Sequence, residues 1–316
     1  MSKRRIIDGW NDLAWEELIA ITSIPESVQH YTRKQQAWLM LNKLGTDERD
    51  KIAFNRKGEL LVTLYKKGWG KERLHITRNQ LAWMVNKDMA FMDCPTGDEE
   101  HGGLTVLPRE TIRIGRKLFR LPEPLIANIT YQQYSNTIKL INLVDGMTEN
   151  MDLRNPQKNL DDFKSKAKEL KMAMARVVSH LLVPRSLRLT REDGGRKRIG
   201  IGWEWAYSPE VAEENTRYIA RHAPVWIYPI LCQHLMSCIQ IYKREYPDMF
   251  SNDGGEEDKM PFIAEADTIN AVMKWQSYTN QQEVYDTNAV FIFSILCSMS
   301  KEAKELERIN SRAKMN

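Results

Sequence analysis

A mainly helical α+β protein with two or three β-hairpins and a bundle-like C-terminal part is the fold class this sequence predicts, and three observations predict it. The first is the segment from Leu160 to Val183, where Phe163, Ala167, Leu170, Met174, Val177 and Leu181 step by four, three, four, three and four residues, the spacing of one helix face. The second is the pair of mostly alternating runs Thr111 to Ile114 and Lys117 to Leu121. Gly115-Arg116 between them supplies the chemistry of a two-residue hairpin turn. The third is composition: 42% apolar and 28% charged residues over 316 positions are ordinary for a globular chain. A chain of that length buries roughly three quarters of the surface its unfolded form exposes, enough for one large core or two smaller ones.

Taken in order, residues 1 to 45 read as helical. Trp15, Leu18, Ile19 and Thr22 share a face, Ile24-Pro25-Glu26 breaks it, and Lys34 to Leu44 resumes until Gly45. Ile52 to Phe54 and Leu60 to Tyr65 read as two strands around Asn55-Arg56-Lys57-Gly58, Gly68-Trp69-Gly70 as a loop, and Thr77 as the cap of a short helix through Val85. The polar, Gly-rich stretch Asp93 to Gly103 marks the boundary between an α+β domain, residues 1–104, and a hairpin-plus-helical domain, residues 105–316. In the second domain, Pro122 and Pro124 force the chain out of the hairpin. Thr130 then caps a helix, with Gln133 at the capping-box position and an end expected near Asp145-Gly146. Leu13 to Leu18 echoes Ile129 to Tyr134 residue class for residue class, which is either a duplication or two similar helix starts. Pro184 ends the heptad-spaced helix. Leu187 to Thr190 and Ile199 to Ile201 predict a second hairpin, Ser208-Pro209 a helix start, and Pro224 to Tyr246 a long apolar helix. Two last helices are expected at about Ala264 to Tyr285 and Thr287 to Arg312.

Candidate chemistry is sparse. Net charge is +4 on 46 basic and 42 acidic residues, too small a balance to argue for a nucleic-acid partner. Cys94, Cys232, Cys238 and Cys297 have no framework spacing, as expected of reduced thiols. The charged N-terminus has no apolar core of a secretory signal, and the apolar stretch from Pro224 to Tyr242 carries Pro229, Gln233, His234 and Gln240, so no membrane span is expected. His234 and Cys238 share a helix face, but Cys232 points elsewhere and no further pair completes a zinc site. His30, His75 and His180 read as isolated, and the carboxylate clusters near Asp98 and Glu256 lack calcium-loop spacing. The expectation is no enzyme, no cofactor and no metal. Two surface candidates remain. Arg185, Arg188, Arg191, Arg196, Lys197 and Arg198 at the second hairpin could contact nucleic acid, and Trp203, Trp205, Tyr207, Trp226 and Tyr228 could anchor a protein partner.

Thr111 to Leu121 has the form TIRI-x-x-K-x-F-R-L, followed by an I-T-Y-x-Q-Y helix entry at Ile129 to Tyr134. His180 to Pro184 closes a helix, and Trp226 to Phe250 ends in Tyr246-Pro247-Asp248-Met249-Phe250. This succession, over about half the chain, resembles proteins of Bacteroidales bacteriophages and prophages that act around tail assembly, as tail-assembly chaperones or small tail accessories. The resemblance implies a non-catalytic protein that binds other tail or virion proteins through apolar helical surfaces, in the host cytoplasm during assembly, alone or as a homo-oligomer. The alternative it implies is a permanent virion component, an adaptor or ring subunit. A nucleic-acid-binding factor working through the basic tip is the third reading.

Overall fold

In the computed structural model the chain is described over residues 7–25, 27–42, 51–65, 71–97, 102–149, 160–189, 201–205, 207–247 and 265–315. It is a mainly helical α+β protein that divides into two compact units, residues 1–108 and 109–316. The division falls four residues beyond the 104/105 boundary because Asn11 holds the intervening segment: its side-chain oxygen accepts from the backbone N–H of Thr105 (2.9 Å) and of Val106 (3.0 Å). Leu104 and Leu107 are buried accordingly.

The first unit contains α1 (Trp15–Thr22), α2 (His30–Leu41), a sheet of β1 (Lys51–Phe54), β2 (Leu60–Tyr65) and β3 (Lys71–Ile76), and α3 (Arg78–Asp88). The inward face of α1 is Trp15, Leu18 and Ile21, with Ile19 and Thr22 only half-buried. The sheet has one strand more than expected. β3 follows the Gly68-Trp69-Gly70 stretch and pairs antiparallel along the whole of β2. Its sequence, Lys-Glu-Arg-Leu-His-Ile, alternates but supplies only Leu74 and Ile76 to the apolar side. Thr77 caps α3 as its sequence implies: its hydroxyl accepts from Gln80 N at 3.4 Å and Gln80 Oε1 accepts from Thr77 N at 3.0 Å. Polar side chains tie the layers together. Trp10 Nε1 donates to Phe91 O (3.0 Å), and Trp38 Nε1 to Asp88 (2.8 Å). The buried Lys34 donates to Asp93, which also meets His30 at 2.8 Å. Burial opposes ionisation of Asp93, but these two hydrogen bonds hold its carboxyl below the usual range.

The second unit opens with the predicted hairpin, β4 (Thr111–Ile114) and β5 (Lys117–Arg120), with Ile114 opposite Lys117 across Gly115-Arg116. α4 (Tyr131–Glu149) and α5 (Leu160–Leu181) follow. α4 runs past Asp145-Gly146 to Glu149, since Gly146 costs an exposed helix only about 1 kcal/mol against alanine and nothing there replaces the helical bonds. α5 stops at Leu181, short of Val183. Val183–Pro184 is instead β6, the third strand of the hairpin sheet, with Pro184 at the edge where its missing N–H is tolerated. β7 (Ser186–Leu189) and β8 (Ile201–Glu204) form the second hairpin. Ser208 accepts from Val211 N at 3.3 Å to cap α6 (Pro209–His222), and α7 (Ile227–Glu245) is the apolar helix. The helix expected from Ala264 to Tyr285 is two: α8 (Glu265–Gln276) and α9 (Gln281–Asp286), separated where Ser277 takes φ 57° and Asn280 caps the second piece. α10 (Ala289–Met315) closes the unit. Tyr131, Ile269, Val272, Val284, Ile292 and Ile295 form a hydrophobic core cluster in this unit. The entries of α4 and α10 are paired backbone to backbone, Tyr131 N to Thr287 O at 2.8 Å and Ala289 N to Ile129 O at 2.9 Å. No helix among the described residues is long and apolar enough to cross a membrane.

The hairpin tip is seated on α6. Gly115 has φ +55°, as the first central residue of a Gly-X hairpin turn requires, and a Cβ there would meet Tyr218 Oη at 2.4 Å. That hydroxyl accepts from Arg116 N (2.6 Å) and donates to Ile114 O (3.1 Å), while Lys117 lies 4.7 Å over the Tyr218 ring and donates to Asn215 (2.6 Å). Tyr218→Phe is therefore expected to cost about 1–2 kcal/mol, the net worth of the two hydrogen bonds it removes at a turn that water can reach. Gly115→Ala is expected to cost more, since strain in the turn and the clash add. Urea denaturation of the three proteins checks the order.

Candidate functional site

α4, α5 and α6 build one face that carries both a polar side-chain network and solvent-facing apolar residues. α5 packs against both neighbours. Toward its C-terminus α5 has almost no exposed side: Val177, Val178, Ser179, His180, Leu181 and Leu182 are all buried. Such a run is closed by polar partners from elsewhere, because unpaired polar groups inside a core cost about 1–3 kcal/mol each. Ser179 meets Thr216 at 2.9 Å. Gln133, 2% exposed, donates its side-chain amide to His180 O at 2.8 Å and Leu181 O at 3.5 Å. It does not fold back to close a capping box. Thr130 caps its own helix alone, accepting from Gln133 N at 3.2 Å.

His180 is not isolated. Its Nδ1 lies 2.8 Å from Tyr207 Oη and its Nε2 3.2 Å from Glu213 Oε1, while Arg176 Nε donates to Glu213 Oε2 at 2.9 Å and Asn136 Nδ2 to Tyr207 Oη at 3.2 Å. One neutral tautomer satisfies every member: Nε2–H donates to the carboxylate, Nδ1 accepts the phenol proton, and the phenol oxygen accepts from Asn136. Burial pushes the imidazole down from its ordinary value, against the upward pull of Glu213, and Arg176 pushes it down further. Burial also pushes the Tyr207 phenol up to about 12. The trio forms a polar clamp that ties His180 of α5 to Glu213 of α6 and to Tyr207 just before it.

Beside the clamp runs a groove of about 420 Å³. Leu143 and Met147 of α4 and Met172 and Ala173 of α5 supply its apolar lining, and Leu143 is 50% exposed. Lys168, Glu169 and Arg176 stand at its edge, Arg176 being shared with the clamp.

The five aromatic candidates scatter over several elements. Tyr207 is committed inward to His180 and Asn136. Trp205 is half-buried under Arg185, whose guanidinium lies 5.9 Å from its ring. Trp203 is in β8 opposite Leu187. Trp226 precedes α7 and is half-buried, and Tyr228 sits in its first turn, where burial and the neighbouring Cys232 raise its phenol. Of the basic candidates, Arg188 is in β7, and Arg191, Arg196, Lys197 and Arg198 lie outside the described residues. His234 and Cys238 are both fully buried and 4.0 Å apart, and burial raises the Cys232 and Cys238 thiols to about 12. Cys238 faces the backbone N–H groups of Leu125 and Ile126, two consecutive left-handed residues at φ 54° and 52°, and Tyr242 Oη donates to Leu125 O at 2.7 Å. Among the described residues no group of three or more His, Cys, Asp or Glu side chains gathers to hold a metal ion.

The clamp was hidden from sequence reading because its members are separated by 27 and 33 residues. The signal that could have found it is His180 itself, which with Ser179 interrupts the apolar run Val177 to Val183. No known family, curated protein or solved structure matches the chain.

The depressed imidazole makes stability depend on pH. The unfolded chain takes up a His180 proton as pH falls through about 6.5, the ordinary histidine value, and the folded chain resists it until lower pH. The stability is therefore complete above that value and is lost as pH drops toward the folded value. The thermal midpoint is expected to fall between pH 7.5 and pH 5.5, and to fall less in His180→Gln; scanning calorimetry of both proteins across that range checks it.

Proposed function

We propose that this protein is a non-catalytic assembly factor whose second unit holds an apolar helical segment of another protein in the groove between α4 and α5. The observation that carries this reading is the solvent-facing apolar lining: Leu143, half exposed, beside Met147 and Met172. Apolar surface of this kind gains roughly 25 cal/mol for each Å² covered. Small-molecule sites add polar groups aimed into the cavity. Here the lining residue Thr216 already bonds to Ser179 and to Ala212 O, which favours an apolar occupant. An amphipathic helix laid along α4 and α5 would cover the lining and leave its polar edge near Lys168, Glu169 and Arg176. Arg176 at that edge is paired with Glu213.

The partner in this reading is a bacteriophage or prophage tail component, as the resemblance of the hairpin and the α4 entry implies, met in the host cytoplasm during assembly. Leu143→Glu with Met172→Glu places two charges on the lining, and burying either against an apolar segment costs several kcal/mol. When the protein is mixed with the tail proteins encoded beside it, the double variant is expected to bind its partner at least a hundredfold more weakly, measured by titration calorimetry. Equal binding by the variant sinks the groove as the site. Recovery of the protein at fixed stoichiometry from purified particles would instead make it a permanent virion component.

A further inference from the structure

We propose that the solvent face of the β1–β2–β3 sheet in the first unit binds double-stranded nucleic acid through its phosphate backbone. This goes beyond the protein-binding groove and concerns a different unit. The chain's modest net charge conceals a strong local one. Residues 51 to 78 carry eight lysines and arginines against Glu59 and Glu72, a net +6, and with Asp47, Glu48, Arg49 and Asp50 just before them the stretch from 47 to 78 still carries +4, as much as the whole chain.

Register decides which of these cations share a face. Leu60 and Val62 are buried, so the alternate residues of β2, Leu61 and Thr63, face outward with their cross-strand neighbours. Two rows result: Lys51, Thr63 and Arg73, and Ala53, Leu61 and His75. Lys51, Arg73 and His75 are exposed, and Leu61 is 41% exposed between them. The β1–β2 turn adds Arg56 and Lys57, both exposed, and the Arg78 side chain lies against Gly58 of the same turn, so three further cations meet at that end of the sheet. Of the two carboxylates, Glu59 is engaged by Asn55 and His75. Those two hydrogen bonds hold Glu59 below its ordinary value.

Three features favour a duplex over other polyanions. Lys51 and Arg73 stand on the outer strands, two strand spacings or roughly 10 Å apart, close to the roughly 12 Å width of a duplex major groove, so the two cations can address the phosphates of both walls. Between these side chains the remaining outward residues of the two rows, Ala53, Leu61 and Thr63, are small or aliphatic. They fit between groove walls, and the one ring in the two rows is the His75 imidazole, a smaller stacking surface than the aromatic platforms that hold unstacked bases. The cations are spread over the rows and the turn, as contact with many phosphates requires and as a single anionic ligand does not.

The test is fluorescence anisotropy of a labelled 30-base-pair duplex of arbitrary sequence titrated with the full chain between 50 and 300 mM salt. Five contacts, from Lys51, Arg56, Lys57, Arg73 and Arg78, at about 0.9 per phosphate give an expected slope of log affinity on log salt of about −4 to −5. Lys51→Glu with Arg73→Glu is expected to weaken binding at least thirtyfold at 50 mM salt and to flatten the slope by about two. Arg196→Ala with Arg198→Ala, on the other basic segment, should leave binding within twofold. Circular dichroism melts establish that the variants fold; should charge reversal unfold the unit, Lys51→Gln with Arg73→Gln is read instead, for a loss of at least fivefold. No duplex binding at 50 mM salt, equal binding by the sheet variants, or tighter binding of a single-stranded 30-mer overturns the proposal. None of these outcomes bears on the groove of the second unit, which the calorimetric test reads separately.

Discussion

A helix that ends inside a protein leaves its last carbonyl groups without intrahelical partners, and they must be met by something other than water. α5 ends that way. Its closing residues are buried on nearly every side, and Gln133 of α4 supplies donors for His180 O and Leu181 O. The chain then continues into β6, where Val183 and Pro184 pair with β5 and Arg185 N donates to Leu118 O at 3.0 Å. Helix, hairpin and neighbouring helix thus share one junction. α4 and the β4–β5 sheet both meet α5 at its end.

The same burial favours the neutral form of the clamp's imidazole. In that form Nδ1 can accept the Tyr207 proton. Glu213 stays 44% exposed, so solvent as well as Arg176 stabilises its charge and its pull on His180 is weakened. Desolvation is the largest influence on the ring and lowers its proton affinity. A network satisfied in one arrangement adds specificity to a helical core whose aliphatic contacts alone would tolerate sliding.

Local chemistry was legible in the sequence wherever it stayed local. The Gly115-Arg116 turn, the Thr77 and Ser208 caps and the face of α5 each depend on residues within a few positions of one another, and each forms as its sequence implies. The two similar helix entries show the limit. Glu17 folds back to accept from Ala14 N at 2.8 Å, whereas Gln133, in the equivalent place, reaches across to α5. Identical spacing gave opposite outcomes because Gln133 is buried beside unmet carbonyls and Glu17 is not. β3 escaped notice because charged residues fill its outward positions, and the break at Ser277 because a single left-handed residue leaves no periodic trace. The groove required three helices at once, which no window along the chain contains.

Net charge is a sum, and a sum discards position. Lys51 and Arg73 are 22 residues apart in the chain but occupy one row of one sheet, because antiparallel pairing brings β1 and β3 to either side of Thr63. The chain outside residues 51 to 78 carries an excess of two negative charges, and Asp47, Glu48 and Asp50 adjoin β1 in sequence. Screening at physiological salt weakens the influence of charges more than about 8–10 Å of solvent away, so a surface is felt by its near charges, of either sign, more than by the chain's average.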